Sequence, residues 1–222
     1  MEQGPVLETE GLQIGVVEGV QGIFWYRIHI EGQASHAGAT PTRLRRDAGL
    51  TAARIVLHLR EWAEASGIVA TVGCLKLEPD LINVIPGRAT LTVDMRHPDE
   101  QRLREADEHL DAFLKEVAAS DGVHLAVERL VRLDPTHFDP SLVNTVENVA
   151  RGLGCSCRRM VSGAGHDAQM MARICPVAMI FTPSRGGLSH CPQEHTDAED
   201  LIRGLRVLLE TVLARLNEDE AH

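Results

Sequence analysis

Three loops rich in small residues each present one histidine. They are Gln33-Ala34-Ser35-His36-Ala37-Gly38-Ala39-Thr40-Pro41-Thr42, Ser162-Gly163-Ala164-Gly165-His166-Asp167-Ala168 and Gly187-Leu188-Ser189-His190-Cys191-Pro192-Gln193-Glu194. Small residues let the backbone approach a ligand closely, and binding residues concentrate on loops. Imidazole can ligate a metal, donate a hydrogen bond or take a proton. Spacing within one loop does not choose among these roles, because ordinary turns with surface histidines look the same.

Cysteine chemistry is a poor candidate. Cys191 follows His190 directly, but neighbours in one loop point apart, and a thiolate needs its base within hydrogen-bond reach. The five cysteines are scattered and odd in number, which is no disulfide framework. Cys155-Ser156-Cys157 lacks the two-residue gap usual in structural zinc pairs. A net charge of −10 argues against nucleic acid as a partner. No apolar run is long enough to span a membrane. The acidic, Gly/Pro-containing start is unlike a signal peptide, so a cytoplasmic protein is expected.

The elements that must position these loops follow from periodicity. Residues 23–31 alternate Tyr26, Ile28 and Ile30 with Arg27, His29 and Glu31, a half-exposed strand. A helix is expected over 45–65, stopped by Ser66-Gly67. Strands follow at 68–77 and 88–96, the second with Ala89, Leu91, Val93 and Met95 on one face. A charged helix over 100–119 and a strand over 123–133 complete the order βαββαβ. That order is the ferredoxin-like arrangement, so residues 22–134 read as a separate domain. Beyond Pro135, helices are expected over 140–153, 168–173 and 198–216, with strands over 158–161 and 175–181. The 175–181 run is of parallel-strand type. The last helix carries Leu201, Leu205, Leu208, Leu209 and Val212 on one face. With residues 1–21 this makes a small α/β layer, expected to be part of a larger sheet.

Six strings give the chain a resemblance: Glu2-Gln3-Gly4-Pro5-Val6-Leu7-Glu8, Ser35-His36-Ala37-Gly38-Ala39-Thr40-Pro41, Asn83-Val84-Ile85-Pro86-Gly87, Asp94-Met95-Arg96-His97, and the loops around His166 and His190. In order and context they resemble the hydantoinase/carbamoylase group of amidohydrolases. This group holds N-carbamoyl-L-amino-acid hydrolases, allantoate amidohydrolases and β-ureidopropionases, within the dinuclear-metal aminoacylase and carboxypeptidase superfamily. The resemblance implies an α/β catalytic domain, here residues 1–21 and 135–222, with an inserted ferredoxin-like lid and dimerisation domain, residues 22–134. It implies two divalent ions, Zn or Mn, with His190 a ligand of one. It implies that His36 and Asn83 steady the tetrahedral oxyanion and that Arg96 holds the substrate carboxylate. Gln3, Gly165 and His166 would line the pocket. The implied partners are a small ureido substrate bearing a carboxylate and a second copy of the chain, with neither nucleic acid nor membrane.

Family chains extend further on the N-terminal side. There they carry a His-x-Asp motif, a bridging aspartate, a Glu-Glu pair and a further histidine ligand, all upstream of the strings matched here, and this sequence has no Glu-Glu string. One imidazole cannot hold a catalytic metal, which needs about three protein ligands. The expectation is therefore a metal-dependent hydrolase of ureido C–N bonds represented by its C-terminal part, inactive alone. The alternative is a non-catalytic dimerisation or ligand-binding fragment built on the lid.

Overall fold

The computed structural model describes residues 4–219. In chain order the elements are α1 (Val6–Thr9), β1 (Ile14–Val20), β2 (Gly22–Glu31), β3 (Ser35–His36), α2 (Ala48–Ser66), β4 (Val69–Glu78), β5 (Val84–Ile85), β6 (Arg88–His97), α3 (Glu100–Asp121), β7 (His124–Leu133), β8 (Thr136–His137), α4 (Pro140–Gly152), β9 (Cys157–Ser162), α5 (Asp167–Met171), β10 (Met179–Phe181) and α6 (Ala198–Asp219). Two compact units result: Gly22–Asp134, and Met1–Gln21 with Pro135–His222.

In the Gly22–Asp134 unit the strands pair antiparallel in the order β4-β6-β2-β7. Alternation decides which face is covered. Phe24, Tyr26, Ile28 and Ile30 of β2 and Ala89, Leu91, Val93 and Met95 of β6 are all buried. They meet Ala52, Ile55 and Leu59 of α2 and Leu103, Ala106, Leu110 and Leu114 of α3 in one core. Apolar residues three and four apart give each helix a stripe wide enough for this contact. Tyr26 Oη donates to Asp107 at 2.6 Å, and Arg129 donates to the other oxygen of that carboxylate at 2.7 Å. The network ties β2, α3 and β7 together. Burial, then the Asp107 carboxylate, push the Tyr26 hydroxyl far above its ordinary range, so it stays a donor.

Capping sets the helix limits. Asp47 accepts from the N–H groups of Gly49 and Leu50, and Gly67 closes α2 at φ 77°. The helix expected from residue 45 therefore starts at Ala48, and Arg45 is extended at φ −80°, ψ 141°. Asp99 and Gly122 cap α3 in the same way.

The second unit is built on β1. Its neighbours are β9, parallel, and β10 and β8, antiparallel. Val16 and Val17 are both buried, so β1 is covered on both faces, as a central strand of a layered α/β sheet is. Leu7, Phe138, Val143, Val146, Ala150, Phe181 and Val207 complete this core. One expectation is corrected here. The 175–181 run is a strand only over Met179–Phe181 and runs antiparallel to β1, because an apolar run reports burial and not direction. The leucine face of α6 is uncovered: Val207 and Thr211 are buried, while Leu201 is 48% and Leu205 64% exposed. These leucines border an open groove of about 590 Å³ shared with Leu142, Val146 and Ile180. No helix among the described residues is long and apolar enough to cross a membrane.

Candidate functional site

His36 and Asn83 are brought together by a short ladder. Strands β3 and β5 pair antiparallel, with His36 opposite Val84, and the Ala37 N–H donates to the Asn83 carbonyl at 2.9 Å. Glycine permits the approach: a Cβ on Gly87 would lie 2.7 Å from the Ala34 nitrogen. Both side chains are exposed. The imidazole is nonetheless fixed, because its Nδ1 accepts from the N–H groups of Gly38 and Ala39, each at 3.1 Å. A ring nitrogen that accepts carries no proton, so the neutral ring bears its hydrogen on Nε2. Arg45 reaches back to the same loop, Nε donating to the Thr40 carbonyl at 3.0 Å and Nη2 to that of Ala37 at 2.7 Å.

Arg96 lies near the C-terminal end of β6. Its Nε and Nη2 engage the Asp94 carboxylate at 2.9 and 2.6 Å. Residues two apart on a strand share a face, which is why the pair meets. The Asp94 hydrogen bonds raise the pKa of the Arg96 guanidinium and keep it charged, outweighing partial burial. The β3–β5 ladder adjoins the Arg88 end of the strand instead. Arg88 and Arg96 are roughly 26 Å apart at the usual strand rise.

In the other unit, His190 has φ 58°, a left-handed conformation that non-glycine residues seldom adopt. Its own N–H donates to Glu194 Oε2 at 3.0 Å, and the Glu194 N–H donates to the Cys191 carbonyl at 3.0 Å. The loop is anchored at its base. Ser184 Oγ donates to the Leu188 carbonyl at 2.7 Å, and a Cβ on Gly187 would lie 2.5 Å from Pro5.

His166 is braced within its loop. Ser162 Oγ donates to the Ala164 carbonyl, so the His166 Nε2 contact to that oxygen, 2.9 Å, is a donation from the ring. The His166 N–H donates to Gln169 Oε1 at 3.2 Å, and its ring lies 5.7 Å from that of Phe181. Gly165 precedes it, exposed, and a Cβ there would meet Gln169 Oε1 at an ordinary 3.4 Å. Gln3 lies outside the described residues. Among those residues no group of three or more His, Cys, Asp or Glu side chains could hold a metal. His190 with its neighbours is thus no complete metal site.

Arg45, Asp94 and Glu194 are the residues that periodicity and motif left without a role. Asp94 was legible, being two positions from Arg96 on one strand. Arg45 was hidden inside an expected helix. Glu194 stood four residues after His190 with nothing to show that its carboxylate turns back to the backbone.

A profile of peptidase family M20/M25/M40 matches residues 1–214. The chain is 39% identical over 216 residues to an N-carbamoyl-L-amino-acid amidohydrolase of Paenarthrobacter aurescens, covering 96% of this chain and 52% of the relative. It is 37% identical over 210 residues to an allantoate amidohydrolase of Bacillus subtilis, covering 94% of this chain and 51% of that one. A crystal structure of an amidase of the hydantoinase/carbamoylase family from Burkholderia multivorans superposes with a TM-score of 0.94 at 41% identity, over 97% of this chain and 53% of that one. The chain spans about half the length of the curated relatives it matches. With its mixed α/β fold and a family match along nearly all its length, the chain belongs to peptidase family M20/M25/M40.

Proposed function

We propose that this chain forms part of a metal-dependent amidohydrolase that cleaves the C–N bond of an N-carbamoyl amino acid or of allantoate. The observation that carries the reading is the short β3–β5 ladder, where an imidazole with its proton on Nε2 stands beside the Asn83 backbone. Donors from His36 and Asn83 suit an oxygen that gains charge as a tetrahedral intermediate forms. Arg96, kept charged by Asp94, suits the substrate carboxylate. Gly165 and His166, with Gln3, would line the pocket.

His190 would supply one ligand to a pair of divalent ions, Zn or Mn. The described residues do not complete that ligand set, and the rest is assigned to the half of the relatives that this chain does not span. The separation along β6 supports a homodimer. One small substrate cannot bridge roughly 26 Å, so the β3–β5 ladder and Arg96 of one copy would serve different active sites. In this reading the Gly22–Asp134 unit is a ferredoxin-like lid and dimerisation domain, and the other unit belongs to the catalytic domain. Five free cysteines suit a reducing, cytoplasmic setting.

The test has two arms, each read as ammonia release from N-carbamoyl-L-amino acids and allantoate with Mn²⁺ or Zn²⁺ present. The chain alone is expected to bind metal weakly and to release no ammonia. Two tightly bound ions with turnover would overturn the partial-site assignment. Joined behind the N-terminal half of the Paenarthrobacter relative, the chain is expected to give metal-dependent release. A folded, metal-loaded fusion inert toward every ureido substrate would sink the proposal.

A further inference from the structure

We infer that Arg45 is a positioning residue for His36, and that the two together commit His36 to donating a hydrogen bond and bar it from acting as a base. The inference rests on the oxyanion role proposed above for His36, but its first test does not.

Arg45 falls between the 3₁₀ turn Thr42–Leu44 and Asp47, the N-cap of α2. Its extended backbone keeps it out of the helix, and its side chain turns back over the preceding loop. The two carbonyls it grips, Ala37 and Thr40, flank Gly38 and Ala39 on either side. The Thr40 N–H donates to the His36 carbonyl at 3.1 Å, which closes the turn. With both flanks held from outside, the N–H groups of Gly38 and Ala39 face inward onto Nδ1. The guanidinium thus clasps the outer face of a turn whose inner face seats the imidazole.

Guanidinium chemistry suits this clasp. Its planar fork presents donors in fixed directions, so one side chain can hold two carbonyls and set the distance between them. An ammonium is a single point with rotatable donors and imposes no such spacing. The charge on Arg45 is spent on main-chain oxygens, and no carboxylate pairs with it among the described residues.

The consequence for His36 is a choice of role. A general base needs a lone pair facing the water it activates. In this tautomer the only lone pair is on Nδ1, and two amide N–H groups occupy it. The exposed nitrogen, Nε2, carries hydrogen and can only donate. Without Arg45 the turn would relax, Nδ1 would be released, and both tautomers would be populated.

The experiment is imidazole ¹⁵N NMR on the intact chain, with His36 assigned through His36→Gln. The wild type is expected to show the Nε2–H tautomer, with slow amide exchange at Gly38 and Ala39. Arg45→Met and Arg45→Lys are expected to give a tautomer mixture and about tenfold faster exchange at those two amides. Signals of the other histidines and the melting temperature should hold, and Arg45→Lys covers the case in which loss of charge unfolds the chain. An unchanged tautomer with unchanged exchange in both variants would overturn the inference, as would an Nδ1–H imidazole in the wild type. In the active fusion, Arg45→Lys is expected to lower kcat by about tenfold to a hundredfold with KM nearly constant. If the fusion proves inert while the NMR changes appear, the clasp stands and the hydrolase reading alone falls.

Discussion

The two units differ in how they finish their sheets. In the Gly22–Asp134 unit α2 and α3, both from within the segment, cover the apolar face of the two central strands β2 and β6. In the other unit β1 is buried on both faces, yet α6 turns Leu201, Leu205, Leu208 and Val212 toward an open groove. A one-sided sheet needs one layer of helices, whereas a two-sided sheet needs two. The histidine loops differ in the same spirit. His36 is held through its side chain by backbone N–H groups, while His190 is held through its backbone by a carboxylate. In the first case two amides commit the ring to one role, and in the second a carboxylate fixes the backbone at the tip of the loop.

Core truncation gives the sharpest contrast. Leu91→Ala, in the closed core, should cost about 3 kcal/mol in urea unfolding, whereas Leu205→Ala on the open face of α6 should stay within about 0.5 kcal/mol. Equal costs would break the comparison. Loss of the α2 cap comes next: Asp47→Ala should cost about 1 kcal/mol and loosen the segment that carries Arg45. Glu194→Ala removes the acceptor that holds His190 in its left-handed conformation, and about 1 kcal/mol should be lost, with rapid exchange of the His190 amide as the direct readout.

The smallest effect concerns pH. His58 Nε2 lies 2.9 Å from His109 Nε2, between the rings of Phe113 and His109. Burial first, then the charge of His109, lower the pKa of His58, against the pull of Glu61 and Glu116. The folded state therefore binds this proton less readily than the unfolded chain. Stability should fall as pH drops through about 6.5, the unfolded value, toward the lower folded value. The loss should vanish in His58→Gln and appear only in probes within Gly22–Asp134. A slope of equal size reported by the other unit would place its origin elsewhere.

Legibility followed the same division. Strands and helices between residues 22 and 134 could be read because each apolar stripe has its partner within the segment, as Ala89, Leu91, Val93 and Met95 have in α2 and α3. The direction of β10 could not be read, because Val177 to Phe181 are apolar whichever way the strand runs. The stripe on α6 was legible as a stripe, but periodicity says nothing of what covers it. At the site, the residue types of His36, Asn83 and Arg96 pointed to oxyanion and carboxylate chemistry through motif alone. The tautomer of His36 depends on two backbone amides, and the role of Arg45 depends on a helix starting three residues late. Neither is written in a side-chain pattern.

Strand β6 has a consequence of another kind. It acts as a rigid spacer between the end at the β3–β5 ladder and the Arg96 end of its unit. Adding or deleting two residues would keep every side chain on its face and shift the spacing by roughly 7 Å. A change of one residue would turn half the strand inside out. Relatives that retune the distance between these two ends along this strand should therefore differ in its length by even numbers only.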